Sequence, residues 1–303
     1  MGSKRKKIVV SAGYCGGIGG AERNLKAMIE SMPEHEFHIM AKKVVNTGYF
    51  PGSGNFRLNE TLDKDEEYDL YIYMRAGKPP YVGDRYNFRK KAIIQSGNPV
   101  FDLEKKFDYI IMQGIDGLKL CSRKDKCKIV VADPRTTWPE KLKKVEGLPK
   151  KFYLTVFNPY HPLKGAHILY MVAKYSKYPM IWCYNSSSEL DYSNIGEIEN
   201  VLQLHNLPQE KLYYIYSKAT AYVSFSLSEG YGWAIADAIA LNLPIVSRSI
   251  GVVTMLEDKS GVRIYNNERE LKKIIENAEF TKAKYDKIFK QHTYKKLFKE
   301  ILK

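Results

Sequence analysis

Short apolar runs that alternate with helix-forming stretches constrain the fold of this 303-residue chain more than any other feature. Each run has four or five residues, and this alternation is typical of parallel sheets covered by helices. In the first half we predict strands at Ile8–Ser11, Phe37–Ala41, Leu70–Tyr73, Lys91–Gln95, Tyr109–Gln113 and Lys128–Ala132. In the second half we predict strands at Tyr153–Phe157, Met180–Tyr184, Val201–Leu204, Ala221–Phe225, Pro244–Ser247 and Gly261–Tyr265.

A charged segment with three prolines separates the two series of runs. Because proline and clustered charge disfavour regular structure, we interpret residues 134–151 as a linker and hinge. The sequence therefore predicts an α/β protein with one Rossmann-like domain over residues 1–133 and a second over 152–303. Within the first domain, the Gly- and Asp-rich span Asn46–Glu67 is expected to be loop.

The stretch Ser226–Asp237, with the sequence SLSEGYGWAIAD, is the strongest functional signal. It follows a predicted strand, carries Glu229 in a polar loop, and opens a helix on Gly230 and Gly232. Glycines let a ligand approach the backbone, and the amides of a first helical turn attract anions. Asp237 lies eight residues after Glu229, at helical spacing, so both acids are expected to face one cleft. This pattern indicates a site for a phosphorylated, hydroxyl-rich molecule.

This stretch resembles the acidic motif of retaining GT-B glycosyltransferases of family 4, the glycosyl transferases group 1. Those enzymes carry a Glu, a Gly-aromatic-Gly turn, a second Glu eight positions after the first, and a small-residue strand that ends near a Gly. The corresponding residues here are Glu229, Gly230-Tyr231-Gly232, Asp237 and Gly251. Asp replaces the second Glu, so its carboxylate reaches one methylene less far.

A second match lies upstream, after the strand predicted at Tyr153–Phe157. Lys164-Gly165 matches the Lys-Gly pair of the family, but the Arg that normally precedes it falls on Pro159. Arg and Lys together neutralise the donor diphosphate in the family, and Lys164 alone is a single point charge. We hypothesise that Arg248, just after the strand predicted at Pro244–Ser247, supplies the missing cation.

A third match is the glycine loop near the N-terminus, which resembles the loop with which many family 4 enzymes begin. The loop runs from Gly13 to Gly20, and a helix is expected from about Ala21. A dinucleotide-binding fold was weighed as an alternative. It is disfavoured because the glycines do not follow the G-x-G-x-x-G order, and because the second strand ends in Lys42-Lys43 rather than in an acid.

The resemblance implies a GT-B fold, in which two Rossmann-like domains with parallel sheets face a central cleft. It implies transfer of a sugar from a nucleotide-sugar donor, such as a UDP- or GDP-sugar, to an acceptor hydroxyl with retention of anomeric configuration. No metal and no cofactor are expected. Glu229 and Lys164 would be catalytic, with Glu229 binding donor-sugar hydroxyls and Asp237 the ribose hydroxyls. The implied donor-binding residues are Gly16, Gly17, Gly19, Gly20, Gly165, Ser226, Gly230, Tyr231, Gly232, Asp237 and Arg248.

The net charge of +14 leaves the acceptor open. It suits an anionic acceptor or an anionic membrane surface, and the acceptor class is a glycan, a lipid-linked molecule or a protein. The basic, amphipathic C-terminal segment resembles either a membrane-surface helix or the last helix of family 4 enzymes, which packs back on the first domain. Packing is the preferred interpretation for a helix at about 283–303.

Two further expectations concern location and alternative functions. The four cysteines lack zinc-ligand spacing, so free thiols and a cytoplasmic location are expected, with peripheral association at the inner face of a membrane kept open. A non-catalytic protein that binds sugar nucleotides or glycans on the same fold is one alternative. A DNA-directed glycosyltransferase is another, although no recognition-helix signature supports nucleic-acid binding.

Overall fold

The computed structural model describes residues 5–16, 19–45, 56–95, 101–115, 118, 121, 123–185, 195–277, 279–281, 284–285, 287–291 and 293–303. Its internal contacts divide the chain into two compact units. Unit 1 comprises residues 1–137 and 287–303, and unit 2 comprises residues 138–286. The segment expected to be a linker is therefore shared: its first four residues form a 3-10 turn, Pro134–Thr137, that belongs to unit 1.

Every strand pair in the described residues is parallel. The strands are β1 Lys7–Cys15, β2 Glu36–Val44, β3 Phe56–Leu58, β4 Glu67–Tyr68, β5 Leu70–Met74, β6 Asn87–Phe88, β7 Lys91–Gln95, β8 Tyr109–Met112, β9 Cys127–Ile129, β10 Tyr153–Val156, β11 Met180–Tyr184, β12 Val201–His205, β13 Ala221–Val223, β14 Ile245–Ser247 and β15 Val262–Ile264. In unit 1 they form a seven-stranded sheet of order β3-β2-β1-β5-β7-β8-β9 and a small β4-β6 pair. In unit 2 they form a six-stranded sheet of order β12-β11-β10-β13-β14-β15.

The α-helices that connect and cover these strands are short. α1 has an amphipathic face, on which Leu25, Met28 and Ile29 are buried. The α-helices of the described residues are α1 Gly20–Glu30, α2 Phe101–Glu104, α3 Ala166–Val172, α4 Gln209–Lys218, α5 Trp233–Ala240, α6 Glu268–Asn277, α7 Ile288–Gln291 and α8 Tyr294–Ile301.

One predicted loop contains a strand. Within the span 46–67, β3 pairs with the outer side of β2, with Phe37 opposite Phe56 and Ile39 opposite Leu58. Three residues are too few for a periodic signal, and the strand forms because the edge of β2 offers unpaired amides and carbonyls. Residues 46–55 of that predicted loop lie outside the described residues.

An aromatic cluster fixes the carboxyl ends of the central strands of unit 2. Phe157 stacks on Trp182 at 4.8 Å between ring centroids, and the Trp182 Nε1–H donates to the Phe157 carbonyl at 3.1 Å. Phe157 also packs edge-on against Phe225, with the centroids 6.2 Å apart. The Tyr265 hydroxyl donates to the Ser224 carbonyl at 2.8 Å. These contacts hold the loops that follow β10 and β13 close together.

The C-terminal residues belong to unit 1 and form two helices, α7 and α8, where one was expected. Thr293 separates them, and its Oγ1 accepts from the Lys296 amide at 3.3 Å. The apolar side of α8 is buried, and the Tyr294 hydroxyl donates to Asn24 Oδ1 at 2.5 Å. That apolar side therefore contacts protein. Among the residues that the structure describes, no helix has the length and apolar composition needed to cross a bilayer.

Candidate active site

Two loops of unit 2 meet at the carboxyl ends of β10 and β13, where open α/β sheets bind ligands. The Leu227 amide donates to the Leu163 carbonyl at 2.8 Å. Gly165 has φ +74°, and a Cβ added there would lie 2.1 Å from the Phe225 carbonyl oxygen. The chain therefore needs glycine at 165, both for the left-handed conformation and for the close approach. This contact brings the residue before Gly165 beside the acidic loop.

Lys164 and Glu229, the two predicted catalytic residues, form an ion pair. Lys164 Nζ donates to Glu229 Oε1 at 2.5 Å, and Ser226 Oγ donates to the same oxygen at 2.8 Å. The Glu229 side chain is 12% exposed and that of Lys164 is 27% exposed. A pair that is only partly in water is screened less than a surface pair, so each charge orients the other.

The glycine turn that follows Glu229 begins α5. Gly232 has φ +81°, and its carbonyl accepts the first helical hydrogen bond, from the Ala236 amide at 2.9 Å. Gly230 is exposed, whereas Tyr231 is buried and packs edge-on against Trp233 at 5.1 Å between centroids. The structure therefore gives the Tyr231 side chain a packing role. The first-turn amides of α5 carry partial positive charge beside Glu229.

Gly251 supports this turn from the loop after β14. It has φ +50°, and a Cβ there would lie 2.5 Å from the Tyr231 carbonyl oxygen and 3.0 Å from Glu229 Cβ. The Val252 amide donates to the same Tyr231 carbonyl at 2.8 Å. The small-residue strand followed by Gly251 in the sequence motif therefore has a physical role, because it allows this loop to lie directly against the acidic loop.

Asp237 is buried within unit 2, at 3% exposure. Its Oδ1 accepts from Trp138 Nε1 at 2.8 Å and from the Tyr213 hydroxyl at 3.0 Å, and the two rings lie 5.1 Å apart. Sequence reasoning missed both partners: it placed Trp138 in a linker and gave Tyr213 no role in the site. An aromatic residue inside an otherwise charged, proline-rich segment was the available signal for Trp138. The role of Asp237 towards ribose stays a prediction.

Arg248, the hypothetical replacement for the missing Arg, is engaged by its own surroundings. Its guanidinium donates to Glu268 Oε1 at 3.1 Å and to the Asn266 carbonyl, and it lies 5.0 Å from the centroid of the Tyr265 ring. This pairing could not be expected from local sequence, because Glu268 is twenty positions away. Pro159 precedes the 3-10 turn Pro162–Lys164.

The glycine loop of the first match lies in unit 1. Gly16 has φ +85°, Gly19 precedes α1 in extended conformation, and Gly20 is the first residue of α1. A Cβ added at Gly19 would lie 2.6 Å from Glu22 Oε2, so this acid folds back on the loop. Gly17 lies outside the described residues. A donor-binding role for these glycines stays a prediction.

We expect Gly165→Ala to destabilise unit 2 strongly. The left-handed backbone and the overpacking against the Phe225 carbonyl should together lower the free energy of unfolding by about 3 kcal/mol. Gly147 is a matched control, since its φ is also +74° but nothing lies within 4 Å of an added Cβ. Gly147→Ala should therefore cost only about 1 kcal/mol. Urea unfolding of both variants measures the difference, and equal losses would contradict the close approach.

We expect Trp138→Phe to weaken the structure around Asp237 while keeping an aromatic ring in place. Loss of a hydrogen bond to a buried carboxylate should lower the free energy of unfolding by about 1.5–3 kcal/mol. Tyr213→Phe, which removes the second donor to the same oxygen, should give a loss of similar size. Urea unfolding tests both. A stability unchanged in both variants would show that Asp237 does not depend on these donors.

The fold of the chain is similar to that of solved glycosyltransferases with little sequence in common. Anabaena HepE in complex with UDP and glucose matches with a TM-score of 0.64 and 12% identity, over 98% of each chain. The apo form of the lipopolysaccharide outer core galactosyltransferase WaaB matches with a TM-score of 0.61 and 13% identity, over 98% of this chain and 99% of that one. A glycosyltransferase from Rickettsia africae gives 0.62 and 11%, over 99% of each. No protein-family profile and no curated protein matches the sequence.

These similarities define the fold class. Both units contain parallel sheets with helices, and the similarity covers nearly the whole chain. The chain therefore has the GT-B fold, as the sequence predicted. At identities of 11–13%, the likeness establishes the fold alone.

Proposed function

We propose that the protein is a retaining, metal-independent glycosyltransferase, similar to family 4, that uses a nucleotide-sugar donor. The observation that carries the proposal is the cluster of Lys164, Ser226 and Glu229, held at the carboxyl ends of β10 and β13. This cluster combines a cation suited to a phosphate with a carboxylate suited to sugar hydroxyls. The glycine turn beside it adds helix amides.

The chemical role of Lys164 follows from the leaving group. When the bond between the sugar and the diphosphate breaks, negative charge grows on the phosphate oxygen. A cation already held at 27% exposure stabilises that charge without having to be reoriented. The first-turn amides of α5 carry partial positive charge and stabilise the same negative charge on the phosphate.

Glu229 binds and positions the donor sugar. Ser226 and Lys164 fix one of its oxygens, so the carboxylate is oriented before the donor arrives. Hydrogen bonds from sugar hydroxyls to an ionised carboxylate are about twice as strong as neutral ones. Retention follows, in this proposal, from attack by the acceptor hydroxyl on the face from which the phosphate departs, with Glu229 as an electrostatic and positioning group.

Asp237 is proposed to bind the ribose of the nucleotide. Trp138 and Tyr213 donate to one oxygen of this carboxylate and fix its orientation. Carboxylate oxygens accept hydrogen bonds from hydroxyl groups such as those of ribose. UDP-linked sugars are the first donors to test, because the Anabaena HepE structures contain UDP and UDP-glucose. The acceptor is proposed to be a glycan, a lipid-linked molecule or a protein.

The test is turnover and binding across UDP-, GDP-, ADP- and dTDP-linked sugars in the presence of EDTA. We expect sugars linked to one nucleotide class to be hydrolysed slowly when no acceptor is present. This hydrolysis should be unaffected by EDTA. Activity that returns only after a divalent metal is added would overturn metal independence. Absence of binding to every donor would overturn the proposed function.

A non-catalytic protein that binds sugar nucleotides is the second candidate, and one observation favours it. The family Arg is replaced by Pro159, and Arg248 is paired with Glu268. Such a protein would bind a donor tightly in calorimetry but release no sugar over long incubations. The donor panel therefore separates the two candidates directly.

A further inference from the structure

The four residues after β5, Arg75-Ala76-Gly77-Lys78, form a turn that we call the cationic turn. The Lys78 amide donates to the Arg75 carbonyl at 3.3 Å, which closes it. Gly77 has φ +76° and Lys78 has φ +50°. A lysine therefore occupies the left-handed backbone region, which residues other than glycine seldom adopt. The turn is therefore held in one shape by its surroundings.

Contacts with β1 supply that restraint. A Cβ added at Gly13 would lie 2.4 Å from the Ala76 carbonyl oxygen, so the turn lies directly on the β1 backbone. The Tyr14 ring lies against Gly77, where an added Cβ would come within 2.8 Å of it, and Tyr14 remains 43% exposed. β1 and β5 are neighbours in the middle of the sheet, and the turn lies at their carboxyl ends. Ligands of open α/β sheets bind at this edge.

The Arg75 guanidinium is oriented by a neutral group. It donates to Gln95 Oε1 at 3.1 Å, and the Gln95 amide donates to Glu104 Oε1 at 2.8 Å. Gln95 is 2% exposed and Glu104 is 0% exposed. A buried carboxylate thus fixes the amide that fixes the arginine. Among the residues that the structure describes, neither Arg75 nor Lys78 has a carboxylate within ion-pair distance.

We propose that the cationic turn binds an anionic group, a phosphate or a carboxylate, on the acceptor. Arg75 offers its remaining guanidinium donors as a fork, Lys78 adds a second charge, and the exposed Tyr14 ring gives a flat surface for the apolar face of a sugar. This inference rests on the proposed function, since it names the acceptor class of that reaction. It also makes use of the positive charge of the chain, which the donor site does not explain.

The first test is direct binding by calorimetry, without any nucleotide. Glucose 6-phosphate and glucuronic acid serve as the anionic probes, and glucose serves as the neutral one. The wild type should bind at least one anionic probe about 10-fold or more tightly than glucose, and the preferred probe tells phosphate from carboxylate. Arg75→Gln and Lys78→Gln should each remove most of that preference.

Two variants give this test its controls. Arg85→Gln removes the same charge from an exposed arginine in the segment after the turn and should keep the preference. Lys211→Gln removes one charge from an exposed lysine of unit 2 and should keep it as well. If wild type shows no preference for anionic probes, or if the preference is lost in Lys211→Gln and kept in Arg75→Gln, the inference is wrong.

Steady-state kinetics then separate this inference from the proposed function. With the donor identified by the panel, Arg75→Gln should raise the KM for an anionic acceptor about 10-fold and leave the KM for the donor as in wild type. A raised KM for the donor in Arg75→Gln would mean that the cationic turn binds the nucleotide and not the acceptor. If none of the nucleotide sugars is bound or turned over, the proposed enzymatic function is wrong. Calorimetry with the anionic probes then decides separately whether the cationic turn binds an anion.

A second inference comes from an independent observation, the pair Cys121 and Cys127. Their Sγ atoms lie 2.6 Å apart, which is closer than two unbonded sulfurs settle and longer than the disulfide length of about 2.05 Å. Cys121 is buried, and Cys127 is half-buried at the start of β9. We infer that the two thiols form a disulfide, where the sequence predicted free thiols.

The step requires an oxidant, which we take to be a small-molecule disulfide. One protein thiolate attacks that disulfide and releases one small thiol, and the other protein thiolate attacks the mixed disulfide and releases the second. The protein thus loses two hydrogens, and the small disulfide is reduced to two thiols. Because burial raises the pKa of Cys127 to about 12, the reaction should be faster at pH 9 than at pH 7.

The test is intact mass after incubation with oxidised glutathione. We expect a loss of about two mass units and two fewer alkylated thiols in denaturant. Cys15 and Cys183 should stay reduced, because within the described part of the chain the contact between two cysteine sulfurs joins Cys121 and Cys127. Cys121→Ser should instead retain one glutathione on Cys127. The inference is wrong if four thiols of the wild type are still alkylated after the incubation. It is also wrong if the wild type retains glutathione, as Cys121→Ser is expected to do.

Discussion

Lys164→Gln is expected to lower kcat/KM for sugar transfer by about 10²–10³, the effect of removing one preorganised group that stabilises developing charge. The amide keeps much of the length of the side chain but not its positive charge. The leaving diphosphate would then be stabilised by the amides of α5 alone. Initial rates with the preferred donor measure the loss, and kcat should fall more than donor affinity because the charge is largest in the transition state.

Lys211→Gln is the matched control for this prediction. Lys211 is an exposed lysine of α4 in the same unit, so its substitution removes one positive charge and should leave the rates within about twofold of wild type. Equal losses in the two variants would mean that net charge, not the position of Lys164, supports the reaction. Unchanged rates in Lys164→Gln would remove it from the mechanism.

Glu229→Gln should lower kcat/KM by about 10², since a hydrogen bond to an ionised group contributes about 1.5–3 kcal/mol and more than one is lost. The substitution leaves Lys164 Nζ and Ser226 Oγ facing an amide instead of a carboxylate. Both donor affinity and kcat should fall, because the carboxylate positions the sugar before and during transfer. Substrate kinetics and donor titration together measure the two components.

The double variant Lys164→Gln/Glu229→Gln tests whether the two residues act as one unit. Their atoms are 2.5 Å apart, so the two losses should not add. We expect kcat/KM of the double variant to be at most about tenfold lower than kcat/KM of the slower single variant. Fully multiplicative losses would show that Lys164 and Glu229 contribute independently.

The regular part of the fold and the centre of the site could be predicted from the sequence. β7 and β11 have the predicted bounds, because each contains a continuous apolar run, which indicates a buried parallel strand. Lys164 and Glu229 were predicted to share a site although 65 residues separate them. That prediction rested on the resemblance to family 4, whose motifs include glycines at 165, 232 and 251. In the structure each of these glycines occupies a left-handed position that few other residues adopt.

Contacts that depend on distant partners could not be predicted. Trp138 reaches Asp237 across 99 residues, and Arg248 pairs with Glu268 across a strand. β3 forms only because the edge of β2 is present. None of these features has a local periodicity, and each follows from tertiary packing that a single sequence does not encode in an obvious pattern.

Transfer of the sugar with retention at the site of Lys164 and Glu229 can be followed by proton NMR of the first product formed from the preferred α-linked donor, in EDTA. With wild type we expect the α-anomer to appear first, and in Glu229→Gln we expect its rate of formation to fall at least about tenfold. A β-anomer as the first product, or an α-anomer formed as fast by Glu229→Gln as by wild type, would contradict transfer with retention at this site.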